Sequence, residues 1–156
     1  MFPVATALPS PDATAAFAAS LGACLDPGDV VLLHGPVGAG KSHFARSLIQ
    51  ALQDNPEDVP SPTFTLVQSY ETRRGPIWHC DLYRISGPDD IPDLGLLEAF
   101  DTAICLIEWP DRLGDLAPPD ALHVHLAPDD AQDDLRHLRL ESVGAHWSRR
   151  LAGLPA

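Results

Sequence analysis

The residues with the clearest chemistry are 35–42, GPVGAGKS, which include Lys41, the only lysine among 156 residues. They match the pattern G-x-x-x-x-G-K-[S/T], in which glycines let backbone N–H groups converge on phosphate oxygens. In this pattern the lysine reaches the β- and γ-phosphates, and the hydroxyl, here that of Ser42, binds Mg²⁺. The segment therefore predicts a binding site for the phosphates of a nucleotide.

We expect the phosphates to contact the whole segment and the residue that follows it. The predicted contacts are Gly35, Val37, Gly38, Ala39, Gly40, Lys41, Ser42 and His43. The apolar run at residues 29–34 predicts a buried strand before the loop, and apolar residues recur at helical spacing from Phe44 to Leu52 after it. A helix that begins at the loop adds the positive end of its dipole. An ordinary turn that happens to contain GKS is the alternative.

Two acidic residues end strand-like runs further along the chain. Glu108 follows the apolar residues 103–107, and an acid at the carboxyl end of a buried strand can hold Mg²⁺ or orient an attacking water. Asp81 closes the less apolar run at residues 77–80. A surface carboxylate is the alternative for Glu108, and a capping or turn role is the alternative for Asp81.

The overall charge argues against a free-standing nucleic-acid-binding protein. The net charge is −12, from 22 acidic residues against 10 Lys and Arg. Nucleic acids attract basic surfaces, because much of their binding affinity comes from released counterions. Any role in RNA biology is therefore expected to depend on a protein partner that supplies the basic surface.

Cysteine usage and hydropathy indicate a cytoplasmic location. Cys24, Cys80 and Cys105 lie far apart without a Cys-x-x-Cys pair, which predicts reduced core thiols rather than disulfides or zinc ligands. No apolar run approaches about 18 residues, so no membrane span is predicted. Residues 1–4 have neither a basic stretch nor an apolar signal core, which argues against secretion.

The order of elements predicts one α/β domain over residues 1–156. Helices are expected at 10–25, with Ser10 as its cap, at 44–52 and, in a loose pattern cut by Pro92, at 89–100. Strands are expected at 63–70, 77–83, 103–109, 122–126 and 135–140. An N-terminal arm at about 1–10 and a C-terminal helix at about 144–156 flank them. This order predicts a P-loop NTPase-like sandwich, with a mixed central sheet and helices on both faces.

Four motifs occur in a fixed order along the chain. They are GPVGAGKS at 35–42, SPTFTLV at 61–67, HCDLYR at 79–84 and LIEWP at 106–110. As an ordered set, over roughly residues 14–126, they resemble the bacterial TsaE (YjeE) family. The resemblance implies an ATPase that binds ATP and Mg²⁺ in the formation of tRNA threonylcarbamoyladenosine. Its partners would be the TsaD and TsaB proteins, whose catalytic cycle it drives, and tRNA would be reached only through that complex.

The resemblance also implies roles for individual residues. Lys41 would act on the phosphates, and Ser42 and Glu108 would hold Mg²⁺. Asp81 would be needed for hydrolysis. Thr63 would lie in a loop like the switch of a GTPase, whereas by spacing alone its segment is only a strand entrance.

Other conspicuous side chains have less distinctive patterns. Trp109 is either a neighbour of the site or plain core packing. His43 and His79 are expected to pack or face solvent rather than take part in catalysis. His123 and His125 alternate with apolar residues, which predicts one exposed strand face rather than a metal-binding pair.

Two other nucleotide-dependent functions are alternatives to an ATPase. A small-metabolite kinase could use the same loop, but it needs a lid with arginines, and the adjacent pair Arg73 and Arg74 falls in a two-residue hairpin turn. A GTPase needs an Asn-Lys-x-Asp element to select guanine. The sole asparagine is Asn55 and the sole lysine is Lys41, so that element is absent from the sequence.

Overall fold

Seven strands form a single mixed sheet in the computed structural model, which describes residues 4–143 and 146–154. The strands are β1 (Val4–Leu8), β2 (Val30–His34), β3 (Val67–Thr72), β4 (Gly75–Asp81), β5 (Ile104–Glu108), β6 (Leu122–Pro128) and β7 (Arg136–Glu141). Their order across the sheet is β1-β7-β6-β2-β5-β4-β3. The central strands β6, β2, β5 and β4 run parallel, whereas β3, β7 and β1 pair antiparallel with their neighbours.

The parallel centre brings the carboxyl ends of its strands to one edge of the sheet. Glu108, the last residue of β5, pairs with Leu33 on β2 and with Asp81, the last residue of β4. The glycine-rich loop follows β2 at this same edge. The strand register therefore places both acidic residues at one level beside the loop.

Helices cover the sheet on two sides. They are α1 (Pro11–Gly22), α2 (Lys41–Ala51), α3 (Leu96–Thr102) and α4 (His146–Arg150), with 3-10 helices at Pro88–Asp90, Pro92–Leu94 and Pro110–Leu116. One apolar cluster joins α1, α2 and Trp147 of α4 to the sheet, and a second joins α3 to β2, β4 and β5. This confirms the predicted α/β sandwich with helices on both faces. Within the described residues, no helix has the length and apolar character needed to cross a membrane.

Several predicted boundaries shift by a few residues, and two of the predicted elements differ more clearly from the structure. The strand predicted at 63–70 begins only at Val67, because Leu66 adopts a left-handed conformation with φ 68° and donates its N–H to the carbonyl of Pro62. Residues 63–66 therefore form a turn beside the site. The helical pattern at 89–100 is divided into two 3-10 helices, and α3 starts only after Gly95, which has φ 76°.

The predicted terminal elements are found in part. The arm at 1–10 contains β1, and residues 1–3 lie outside the described residues. Ser10 caps α1 as predicted, since its Oγ accepts the N–H of Ala13 at 3.1 Å. The helix predicted at 144–156 contains α4, and residues 144–145 and 155–156 lie outside the described residues.

Candidate nucleotide site

The loop between β2 and α2 requires glycine at specific positions. A Cβ atom on Gly35 would lie 2.5 Å from the carbonyl oxygen of Leu126, so a side chain does not fit there. Gly40 has a left-handed backbone, with φ 100°, at the N-terminus of α2. No side chain caps this helix end among the described residues. Its first N–H groups lack an intrahelical acceptor and carry the positive end of the helix dipole, which suits an anion.

Lys41 is buried at the first turn of α2, with 5% of its surface exposed. Its Nζ donates to the carbonyl oxygen of Gly35 and lies 3.4 Å from the ring centroid of Trp109. Burial lowers the pKa of Lys41, while the carboxylates of Glu108 and Asp81 act in the opposite direction. A buried ammonium with one carbonyl partner and one aromatic face retains donors for phosphate oxygens.

Ser42 and Glu108 are in direct contact, although 66 positions separate them in the sequence. The Oγ atom of Ser42 lies 3.1 and 3.0 Å from the two carboxylate oxygens of Glu108. On the other side, Nε2 of the buried His79 lies 2.7 Å from Oε2 of Glu108. Because an ionised carboxylate only accepts hydrogen bonds, Nε2 of His79 carries the proton. Glu108 is thus held between a hydroxyl and an imidazole.

A chain of hydroxyl groups connects Ser42 to Asp81. The Oγ atom of Ser61 lies 3.3 Å from that of Ser42 and 3.0 Å from Oγ1 of Thr63. Thr63 donates to Oδ2 of Asp81 at 3.3 Å, and the N–H of Tyr83 donates to Oδ1 at 3.0 Å. The loop at 61–63 therefore links the two acidic residues through hydrogen bonds.

A cavity of about 450 Å³ opens between the loop and these side chains. It is lined by Val37, Gly38, Gly40, Lys41, Ser42, His43, Ser61, Thr63, Asp81, Tyr83, Glu108 and Trp109. All four residues predicted as catalytic line this cavity, as do both predicted metal ligands. Among the predicted phosphate contacts, Gly35 and Ala39 do not line it: Gly35 approaches Leu126, and Ala39 is fully buried.

A second cleft, of about 260 Å³, adjoins the first at Gly40 and His43. It is lined further by residues of α1 and by Asp134 and Arg136 near the start of β7. Arg136 crosses to the glycine-rich loop, where its Nε donates to the carbonyl of Ala39 at 3.0 Å and its Nη2 to that of Gly38 at 3.3 Å. A guanidinium from a distant strand thus holds two carbonyls of the loop.

The donor set at the sheet edge fits Mg²⁺. Ser42, Glu108, Asp81 and Thr63 present only hydroxyl and carboxylate oxygens, which are the ligand type that Mg²⁺ prefers. Since Ser42 directly contacts both oxygens of Glu108, these two residues are the best-placed pair to hold the ion.

Three residues at the site make contacts that the sequence did not predict. His79 packs inside the core, which is one of the two alternatives expected, and it is also hydrogen-bonded to Glu108. The period of two along a strand places His79 on the same face as Asp81, and that signal could have identified it. Ser61 was expected only as part of the switch-like loop, with no contact of its own. Arg136 had no local signal, because only the pairing of β7 with β6 brings it to the loop.

The expectation for His123 and His125 is also corrected. Both lie on one face of β6, as predicted, but they are half-buried rather than exposed. Their rings stack with that of His34 on the neighbouring strand. The cause is the parallel pairing of β2 with β6, which places His34 opposite His125. Trp109, whose role the sequence left open, contacts Lys41 and lines the cavity.

A mixed α/β sheet with a parallel centre and a glycine-rich loop between β2 and α2 defines a protein of the P-loop class. Comparison with known proteins narrows this class. The family model described as "Threonylcarbamoyl adenosine biosynthesis protein TsaE" matches residues 8–138. The chain belongs to the TsaE family.

Individual relatives agree with this assignment. The tRNA threonylcarbamoyladenosine biosynthesis protein TsaE of Rickettsia bellii is 40% identical over 121 residues, which are 78% of this chain and 84% of the relative. The protein of the same name from Bacillus subtilis is 35% identical over 139 residues, 88% of this chain and 85% of the relative. The crystal structure of YdiB from B. subtilis superposes with a TM-score of 0.77 at 27% identity, covering 97% of this chain and 93% of that one.

Proposed function

We propose that this chain, as a single P-loop domain over residues 1–156, is a Mg²⁺-dependent ATPase. The observation that carries the proposal is the convergence of Lys41, Ser42 and Glu108 on one cavity at the N-terminus of α2. In P-loop hydrolases a lysine, a hydroxyl and an acidic residue at a strand end together bind the triphosphate and its metal. Mg²⁺, when bound, would neutralise the negative charge that develops on the β- and γ-phosphates.

The residues around the cavity have different roles in the proposed hydrolysis. The N–H groups of the loop and the ammonium of Lys41 bind and orient the triphosphate. Ser42 and Glu108 would hold Mg²⁺, and His79 fixes the carboxylate of Glu108 in place. Asp81 lies at the level of Glu108 and is hydrogen-bonded to Thr63, so this pair is suited to position the attacking water near the γ-phosphate. We place the adenine in the adjoining 260 Å³ cleft.

We further propose that hydrolysis drives the TsaD–TsaB complex in forming threonylcarbamoyladenosine in tRNA, in the cytoplasm. The printed names of the relatives assign them to this biosynthesis. The net charge of −12 supports contact with tRNA only through the partner proteins, because an acidic surface repels a phosphate backbone.

A small-metabolite kinase is the rival function, and the position of its candidate lid argues against it. Arg73 and Arg74 lie in the turn before β4, at the end of that strand opposite Asp81. Both are engaged there: Arg73 pairs with Asp54 at 3.0 Å and Arg74 with Asp26 at 3.2 Å. They are therefore remote from the cavity at the carboxyl ends of the strands.

The proposal is tested by phosphate release from ATP together with nucleotide binding. Lys41→Ala removes charge-assisted hydrogen bonds worth about 1.5–3 kcal/mol each, so the Kd for ATP should rise by about 10- to 100-fold. Glu108→Ala and Asp81→Ala should depress turnover while retaining nucleotide binding. Arg139→Ala, which removes one exposed positive charge elsewhere, is the matched control. Normal turnover of Lys41→Ala would overturn the assignment of the site.

The proposed partners are tested separately by co-purification with TsaD and TsaB, with and without ATP. We expect retention on the complex that changes with the nucleotide. Release of phosphate to water, with no acceptor and at a rate altered by TsaD–TsaB, would exclude the kinase. Absence of any association in both conditions would leave an ATPase without these partners and would contradict that part of the proposal.

A further inference from the structure

Three histidines meet on the face of the sheet opposite α2. His34 is the last residue of β2, and His123 and His125 lie two positions apart on β6. The parallel register of these strands pairs His34 with His125 and Leu32 with His123. All three side chains are half-buried, so they remain accessible from solvent. We call these three residues the histidine cluster.

The histidine cluster is separate from the nucleotide site. Leu33 and Val124, which alternate with the histidines, point into the apolar cluster beneath α1 and α2. His34, His123 and His125 therefore point to the other side of the sheet. The second apolar cluster, which covers that side at β2, β4 and β5, includes no described residue of β6 or β7. The histidines thus lie at the margin of the second apolar cluster, on strands that it covers only in part.

The nitrogen atoms of the cluster are close enough to bind one ion. One ring nitrogen from each histidine lies within 4.8 Å of the others. Nε2 of His34 lies 2.8 Å from Nδ1 of His123, and the rings of His34 and His125 stack with centroids 4.4 Å apart. Three nitrogens bound to tetrahedral Zn²⁺ at about 2.0–2.1 Å are roughly 3.4 Å apart, so small side-chain rotations suffice.

A carboxylate on β7 orients one ring of the histidine cluster. Nε2 of His125 lies 2.7 Å from Oε1 of Glu141, and Arg139 in turn contacts Oε2 of Glu141 at 2.6 Å. Because a carboxylate accepts hydrogen bonds, Nε2 of His125 is the donor to Glu141, and Nδ1 is the nitrogen that a metal ion would bind. Carboxylates that orient ligating histidines in this way are the usual outer partners of zinc sites.

We propose that His34, His123 and His125 form a binding site for one borderline divalent transition-metal ion, Zn²⁺ in the first instance. Three imidazoles match the nitrogen preference of Zn²⁺, whereas Mg²⁺ requires oxygen ligands. The fourth position is open to water from the solvent side. Glu141 acts as a positioning residue that orients His125.

The test is calorimetric titration of the metal-free protein with Zn²⁺ in the presence of excess Mg²⁺, followed by NMR of the histidine ring resonances. We expect one Zn²⁺ per chain, and shifts confined to His34, His123 and His125. His123→Gln and His125→Gln should each weaken binding at least about tenfold, and Glu141→Gln by roughly 10- to 100-fold. The matched control is His137→Gln, an exposed histidine of β7 that pairs with Asp129 and should leave Zn²⁺ affinity unchanged.

Each alternative result overturns the proposal. Zn²⁺ that shifts His79 rather than the cluster would have bound at the nucleotide site. Equal losses in His137→Gln and His123→Gln would indicate non-specific binding to surface imidazoles. Thermal melting of every variant without metal checks folding. If His123→Gln is unfolded, the Glu141→Gln result and the ring resonances of the unmodified protein decide the question.

Discussion

The Nε2 atom of His79 lies 2.7 Å from Oε2 of Glu108, and both side chains are buried. The Nδ1 atom of the same ring has no hydrogen-bond partner among the described residues. Glu108 is therefore the polar contact that orients this imidazole, and the imidazole in turn restricts the carboxylate to one orientation facing Ser42. This buried pair therefore connects the core of the sheet to the side chains that line the cavity.

Loss of this imidazole is expected to weaken Mg²⁺ binding, so hydrolysis should need a higher Mg²⁺ concentration. His79→Ala frees the carboxylate of Glu108 to rotate, and outer partners of metal ligands typically contribute 10- to 100-fold in affinity or activity. His79→Gln retains an N–H donor and should restore part of the loss. Titration of turnover with Mg²⁺ measures the effect, and ATP binding without Mg²⁺ should stay within about threefold of the original. Equal turnover in both variants and the original would contradict the positioning role.

Thr63 and Thr65 provide a matched pair of substitutions in the loop before β3. Thr63 donates to Asp81, whereas Thr65 is exposed. Thr63→Val removes a hydrogen bond to a carboxylate, worth about 1.5–3 kcal/mol, so turnover should fall by about 10- to 100-fold. Thr65→Val should change it by less than about twofold. Single-turnover phosphate release distinguishes the two, and a larger effect at Thr65 would reverse the assignment.

Arg136 is expected to support nucleotide binding through the loop. Arg136→Ala removes the donors to the carbonyls of Gly38 and Ala39, so the loop loses part of its pre-organisation. The Kd for ATP should rise by about 5- to 30-fold, equivalent to about 1–2 kcal/mol. Arg139→Ala, three positions along the same strand and therefore on its opposite face, should leave the Kd unchanged. Fluorescence titration with a labelled ATP analogue measures both, and equal effects would show that only charge matters.

The buried thiols are expected to resist alkylation in the native protein. Burial raises the pKa of Cys105 from 9.0 to about 12 and raises that of Cys80 as well. The thiolate is the reactive form of cysteine. Because the pKa of Cys105 lies about three above its ordinary value, the thiolate fraction at pH 8 is about a thousandfold lower. Iodoacetamide followed by mass spectrometry should label the half-buried Cys24 first, and all three cysteines at similar rates in urea. Native labelling of Cys105 as fast as Cys24 would contradict this protection.

The local pattern of the chain predicted the elements and the chemical types at the nucleotide site. Lys41 and Ser42 could be assigned because the loop is continuous in sequence, and its glycines are demanded by backbone geometry within a few residues. Glu108 and Asp81 could be proposed because apolar runs end at them. For that reason the fold class, the sheet with helices on both faces and the family resemblance agree with the structure and with the relatives.

Pairing between distant strands decided what no local pattern contains. The register of β4 and β5 aligned Asp81 with Glu108, and the burial of His79 beside Glu108 followed from it. Because β7 pairs antiparallel with β6, Arg136 lies beside the loop. Because β2 pairs with β6, the three histidines of the cluster lie together. These contacts join residues dozens of positions apart, so their geometry depends on the free energy of packing the whole sheet. The sequence determined which groups are present, and the tertiary structure decided which of them meet.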